Sequence, residues 1–128
     1  MATVAKSATI RASRLIVGLV DLAFEDEQSR SVCIKRGRAL AVLGPEVAHE
    51  LNKRIADIRA AETVLDLLVG TRVVADGGYE AIHVSLANGF ELVFVANHVQ
   101  NPTTASGKID WGKVVRVKVL EISRMAIV

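Results

Sequence analysis

Cysteine, proline and aromatic residues are scarce in this chain: one Cys, two Pro, one Trp and an aromatic share of 4% among 128 residues. Lone Cys33 excludes an internal disulfide and fits a reducing cytoplasm, where the protein is expected to reside. Its expected role is that of a small buried hydrophobe on a helix, since no base is positioned beside it to make a nucleophile. With 51% hydrophobic residues and so few rings, the core must be mostly aliphatic. A formal charge of +2 is too small to argue for nucleic acid by itself. No apolar run approaches the roughly 20 residues that a membrane-spanning helix needs, so no membrane partner is expected. The three histidines are scattered and lack cysteine partners, and no glycine pattern resembles a phosphate loop. No metal and no cofactor is therefore expected.

What is present is one domain's worth of chain with a clear order. The start, MATVAKSATIRASRLIVGLV, imitates a targeting peptide through Lys6, Arg11 and Arg14, but its apolar run from Leu15 to Val20 is short and Asp21 interrupts it before Ala23-Phe24. Residues 1–14 read as a flexible basic arm, residues 15–128 as a single domain, and Leu15 to Phe24 as a first strand. Glu25, Asp26 and Glu27 then favour a helix N-terminus. Val32, Leu40 and Leu43 continue a helical stripe, while Lys35, Arg36 and Arg38 suit its negative end. Gly44-Pro45 ends that helix and opens another. In the second, Val47, Leu51, Ile55, Ile58, Leu65 and Leu68 recur at three- and four-residue steps to about Val69, with Gly70 as C-cap. The tight break predicts an αα-hairpin.

From Thr71 the apolar period falls to two. A short strand around Arg72 to Ala75, a turn at Asp76-Gly77-Gly78, a hairpin across Ala81 to Phe94, a polar loop from Asn97 to Gly112 and a last strand from Lys113 to Ile122 follow. The hairpin register decides which side chains share a face. A two-residue loop would mix polar and apolar residues; a three-residue loop, Ala87-Asn88-Gly89, pairs Ile82 with Phe94 and Val84 with Leu92 on one face. The other face then holds His83 opposite Val93 and Ser85 opposite Glu91. Such a loop is expected to be a type I turn with Gly89 left-handed. Arg116 and Lys118 alternate with Val115, Val117 and Val119 in the last strand. The predicted fold class is α+β: an antiparallel sheet of 4–5 strands with the N-terminal αα-hairpin packed on one face.

Several linked motifs resemble the RelE/HigB group of type II toxins. They are Arg30 at the helix start, Leu43-Gly44, Arg54-Ile55-Ala56-Asp57-Ile58 with Ala60-Ala61, GFELVF, and the Ile109-Asp110-Trp111 that precedes the last strand. The resemblance spans about Asp21 to Ile122 and implies a RelE/ParE-like fold. It also implies a cytoplasmic toxin that is held by a cognate antitoxin and cleaves messenger RNA on the ribosome. The family's chemistry sits on the open face of the sheet, which would here carry His83, Ser85, Glu91, Arg116 and Lys118.

The chain departs from that family where its chemistry would lie. Glu91 stands in the place of the family's strand arginine, and Ser123-Arg124-Met125-Ala126 replaces an ending that holds a catalytic Tyr and His. Of the basic loop before the hairpin only Arg72 survives as a cation. A substitute set follows: His83 and Glu91 as the acid–base pair, with Arg72, Arg116, Lys118 and Arg124 meeting RNA. Beside it stands a plain reading, a solvated polar face typical of one-sided sheets. Whether the chain is an enzyme stays open. The alternative from another class is a non-catalytic module that binds an antitoxin or a second copy, with the valine-rich last strand as an interaction edge. Of the remaining polar residues, His49 reads as solvated, His98 as a loop residue without a second ligand, and Trp111 as packing the loop onto the fold.

Overall fold

The computed structural model describes residues 20–67, 71–76 and 79–124. The expected arm at 1–14, the first half of the predicted opening strand, the Gly70 cap and the Gly77-Gly78 turn lie outside the described residues. Strand β1 (Asp21–Phe24) is followed by helices α1 (Glu27–Ile34), α2 (Arg36–Leu43) and α3 (Pro45–Ala60), a 3-10 turn at Val64–Leu67, and strands β2 (Thr71–Asp76), β3 (Tyr79–Ser85), β4 (Phe90–Ala96) and β5 (Arg116–Arg124). The sheet has five strands in the order β1-β5-β4-β3-β2.

Two helices were expected and three are found among the described residues. Asp26 caps α1 by accepting the Ser29 N–H at 2.8 Å, with Glu27 in the first turn. The chain then breaks at Lys35, which is extended at φ −104°, ψ 107° and serves both helices as cap. A run of three cations around Gly37, itself a poor helix former, favours a break over one continuous helix. Arg36 and Arg38 consequently begin α2 instead of ending α1, the opposite end of the helix dipole from the one predicted. Gly44 stands at φ 85°, ψ 165°, a conformation open almost only to glycine, and Pro45 opens α3.

Helix α3 buries its predicted stripe: Val47, Leu51, Ile55 and Ile58 are all buried. Each contributes on the order of 1.5–3 kcal/mol relative to exposure. The helix ends at Ala60, not near Val69. Continuing the stripe four residues past Ile58 would need an apolar residue where Glu62 stands. Instead the Val64 N–H bonds to the Val114 carbonyl at 3.2 Å, which buries Val64 and turns Leu65 to solvent.

The helices cover one sheet face, where Ile82, Val84, Leu92, Phe94, Val117 and Val119 join the core. The sheet is mixed and not purely antiparallel: β1 runs parallel to β5, Asp21 beside Arg116 and Phe24 beside Val119. The closing strand returns through the interior of the sheet, between β1 and β4. That takes the valine-rich stretch of β5 from Arg116 to Val119 out of play as an interaction edge, because β1 pairs with it on one side and β4 follows it on the other.

The hairpin register is the predicted one, with Ile82 beside Phe94 and Ser85 beside Glu91. The turn that sets it differs. Asn88 (φ 57°) and Gly89 (φ 78°) are both left-handed, the signature of a primed turn, and the Phe90 N–H reaches the Ala87 carbonyl. The Leu86 N–H meets the Phe90 carbonyl at 2.8 Å, so Ala87 is the extra residue. A bulge on β5 near Leu120 then keeps Ile122 in phase with Leu92.

Candidate functional site

Alternation along β2, β3 and β4 sends Arg72, His83 and Glu91 to the sheet face that no helix among the described residues covers. Arg72 and His83 are cross-strand neighbours; Glu91 lies diagonal to His83, one pair further along. The three side chains meet. Arg72 Nη2 donates to both Glu91 oxygens at 3.0 Å, and His83 Nδ1 lies 3.1 Å from Glu91 Oε1.

Glu91 is not the solvated residue that a plain polar face would hold: it is 4% exposed, and no other charged residue among those described is buried. A buried carboxylate needs ionic and hydrogen-bonding partners to stay charged. Burial pushes its pKa up, but hydrogen bonds from His83 and Arg72 and the attraction of both outweigh this, leaving the carboxyl below its usual range. At neutral pH Glu91 is therefore an anion and can only accept. His83 must then donate from Nδ1, so that in the neutral form of the ring Nε2 is the lone-pair nitrogen. A carboxylate that fixes one imidazole nitrogen and frees the other is the arrangement a general base requires. The side chains of Arg72 and His83 remain 53% and 22% exposed, so solvent or a ligand reaches both.

The other predicted cations do not join this cluster. Lys118 pairs with Glu25 at 2.8 Å and Arg116 with Asp21 at 3.7 Å, both acids belonging to β1 or its end. Lys118 sits beside Val95, four residues along β4 from Glu91, or about 13 Å at the usual strand rise. Arg124 is on the other face altogether: it pairs with Phe90, in phase with Leu92 and Ile122, and its guanidinium stacks 5.9 Å from the Phe90 ring. Of the cations predicted to meet RNA, Arg72, Arg116 and Lys118 thus share the uncovered face and Arg124 does not, and each of the three is paired with an acid within the molecule.

Two polar anchors escaped the sequence reading. His98 Nε2 accepts the Val115 N–H at 3.1 Å, standing in for a strand carbonyl just before β5. Burial, with Arg116 nearby, lowers its pKa and keeps it neutral. Glu80 accepts the Ile109 N–H at 2.7 Å and the Trp111 Nε1–H at 3.2 Å, pinning the long loop over the core. A signal for Glu80 existed, because period two places it on the apolar face with Ile82 and Val84, where a carboxylate must find donors. Nothing in the spacing marked His98. Among the described residues no group of His, Cys, Asp and Glu is arranged to hold a metal, and no helix is long and apolar enough to cross a membrane. Comparisons with protein-family models, curated proteins and solved structures each return no match.

Proposed function

We propose that this chain is a divergent RelE/HigB-like toxin-fold protein, cytoplasmic and held by a cognate antitoxin, whose uncovered sheet wall acts on RNA at the ribosome. The observation that carries the reading is the buried Glu91 carboxylate gripping Arg72 and His83 on the face away from the helices. On this reading Glu91 replaces the family's strand arginine by recruiting a cation from the neighbouring strand, so that Arg72 meets phosphate. His83 Nε2 takes the proton of an attacking ribose 2′-hydroxyl, and Arg72 steadies the charge that gathers on the phosphorus oxygens. The family's Tyr and His after the last strand have no counterpart in the sequence, so the leaving oxygen takes its proton from water and cleavage is slow.

A second reading has its own support. Among the described residues, Arg116 pairs with Asp21 and Lys118 with Glu25, so the cations of the far half of the wall are already engaged and less available to a phosphate backbone. That favours a non-catalytic module binding a protein partner. Induced expression separates the two. Growth arrest with transcripts cut on translating ribosomes, abolished by His83→Ala, supports the enzyme; unaltered transcripts and growth sink it in favour of the module. Ribosome association that does not weaken with added salt also counts against a phosphate-led contact.

A further inference from the structure

We infer that Tyr79 is a positioning residue: its ring is the platform on which an RNA strand held by the His83 wall stacks one unpaired base. The inference rests on the RNA reading of that wall and adds what fixes the strand along it. Aromatic side chains are few, and all but one turn to the helix-covered side. Phe24, Phe94 and Trp111 lie in the core or against it, and Phe90 faces the Arg124 guanidinium, in phase with Leu92. Tyr79 is the exception. Strand alternation places it with Ala81 and His83 on the uncovered face, and it is 50% exposed.

The ground between Tyr79 and His83 suits a base better than a phosphate. Ala81 and Val93 are buried there and Val74 and Val95 half-buried, so short aliphatic side chains make a floor with Tyr79 at its end. Val74 is the cross-strand partner of Ala81, and Val95 that of Lys118. Lys118 is engaged by Glu25 and Arg116 by Asp21, so this half of the wall must hold a strand by something other than free positive charge. Stacking does so: every base has a π-face, and a tyrosine ring takes it without net charge. Tyr79 precedes His83 by four positions on β3, about 13 Å at the usual strand rise. A single strand covers that span in roughly two to four nucleotides, from a drawn-out chain to one at the stacked rise of about 3.4 Å. Bases inside a duplex are already stacked on one another and cannot use the ring. The substrate class is therefore single-stranded RNA with an unpaired base at that remove from the phosphate beside Arg72.

The probe is a short, labelled single-stranded RNA whose 2′-hydroxyls are methylated, so that the full chain binds it without cutting it. Tyr79→Ala should weaken binding by about fivefold to a hundredfold, the loss of one stacked base, while Tyr79→Trp should bind at least as well as the parent. Removing the bases one at a time should erase the difference between parent and Tyr79→Ala at a single position, which a merely structural role for the ring would not do. The unaltered protein gives a second measurement, because Tyr79 is its one tyrosine: the ring protons should move upfield when the RNA is added. If the parent binds RNA but Tyr79→Ala binds as tightly, or Tyr79→Trp is as weak as Tyr79→Ala, or the loss persists whichever base is removed, the inference falls and the RNA reading of the wall stands. If neither parent nor variant binds RNA, both fall together. A parent that binds no RNA but forms a dimer that Tyr79→Ala dissolves assigns the ring to a protein contact instead.

Discussion

Removing Arg72 should destabilise this fold more than removing any other half-exposed arginine, because its partner is buried. At the 3.0 Å separation from Glu91, Coulomb's law gives about 1.4 kcal/mol if water fills the space and about 5.5 kcal/mol at an effective dielectric near 20. Glu91 belongs to the second regime and Arg72, more than half exposed, to the first, so solvent screening takes away much of the larger figure. Arg72→Ala should therefore cost about 2 kcal/mol, or roughly 6–10 °C in Tm for a domain of this size. Glu91→Gln keeps the shape and still accepts from His83 Nδ1, and should cost about 1 kcal/mol. In the double variant the loss should fall short of the sum by about 1–1.5 kcal/mol, read from urea unfolding at pH 7.

The pH profile supplies an independent check with a definite sign. Glu91 has a folded pKa below its unfolded value, so its stabilisation is complete above about pH 4.5, its ordinary value, and is lost as pH falls through the folded pKa. Arg72→Ala should flatten that acid limb while barely changing the slope between pH 6 and 8. A coupling below about 0.3 kcal/mol, within ordinary additivity error, with an unchanged acid limb would mean that the cluster is loosely solvated. The assignment of Glu91 as a positioning group would then fail.

Other outcomes can be read alongside. Gly44→Ala meets no atom within 4 Å of the added Cβ, so its cost is purely backbone, about 1–3 kcal/mol at this φ and ψ, seen as a lower urea midpoint. The Cys33 thiol, pushed up to about 12 mainly by burial, should ignore a disulfide reagent at pH 8 until the protein unfolds. His98 is held neutral with a lowered pKa, so its contribution is present above about pH 6.5 and fades as pH falls toward the folded pKa; in His98→Ala that part of the stability profile should be missing.

Much of this architecture is legible in the chain because the relevant signals are local. The α3 stripe, the Gly44-Pro45 break and the hairpin register each follow from spacing within about a dozen residues, and the register alone puts His83 and Glu91 on one face. What escaped depends on distant partners. The parallel pairing of β1 with β5 joins residues almost a hundred positions apart, and only that pairing brings Asp21 and Glu25 against Arg116 and Lys118. The local turn was misjudged for a smaller reason: Asn88 tolerates the left-handed region as Gly89 does, so the same register is reached with the bulge moved to Ala87.

Glu91 is where the two kinds of information meet. Taken from the sequence as the replacement of a cation by an anion, it looks like the loss of a phosphate contact. In three dimensions the carboxylate is almost closed off from water, and a buried anion cannot persist without donors. The sheet supplies them from two different strands, the guanidinium of Arg72 and the imidazole of His83. The carboxylate thus holds positive charge on the outer strand β2 and orients the His83 imidazole in the same move. Glu91→Arg, the residue type that the resemblance implies at this place, should therefore not make a better site. It would set a guanidinium beside Arg72 in a space that excludes water, expel Arg72 and release His83, and lower stability by about 3 kcal/mol or more. Measured unfolding together with RNA affinity decides the point: a Glu91→Arg protein that folds as well as the parent and binds RNA more tightly would show that the carboxylate is dispensable.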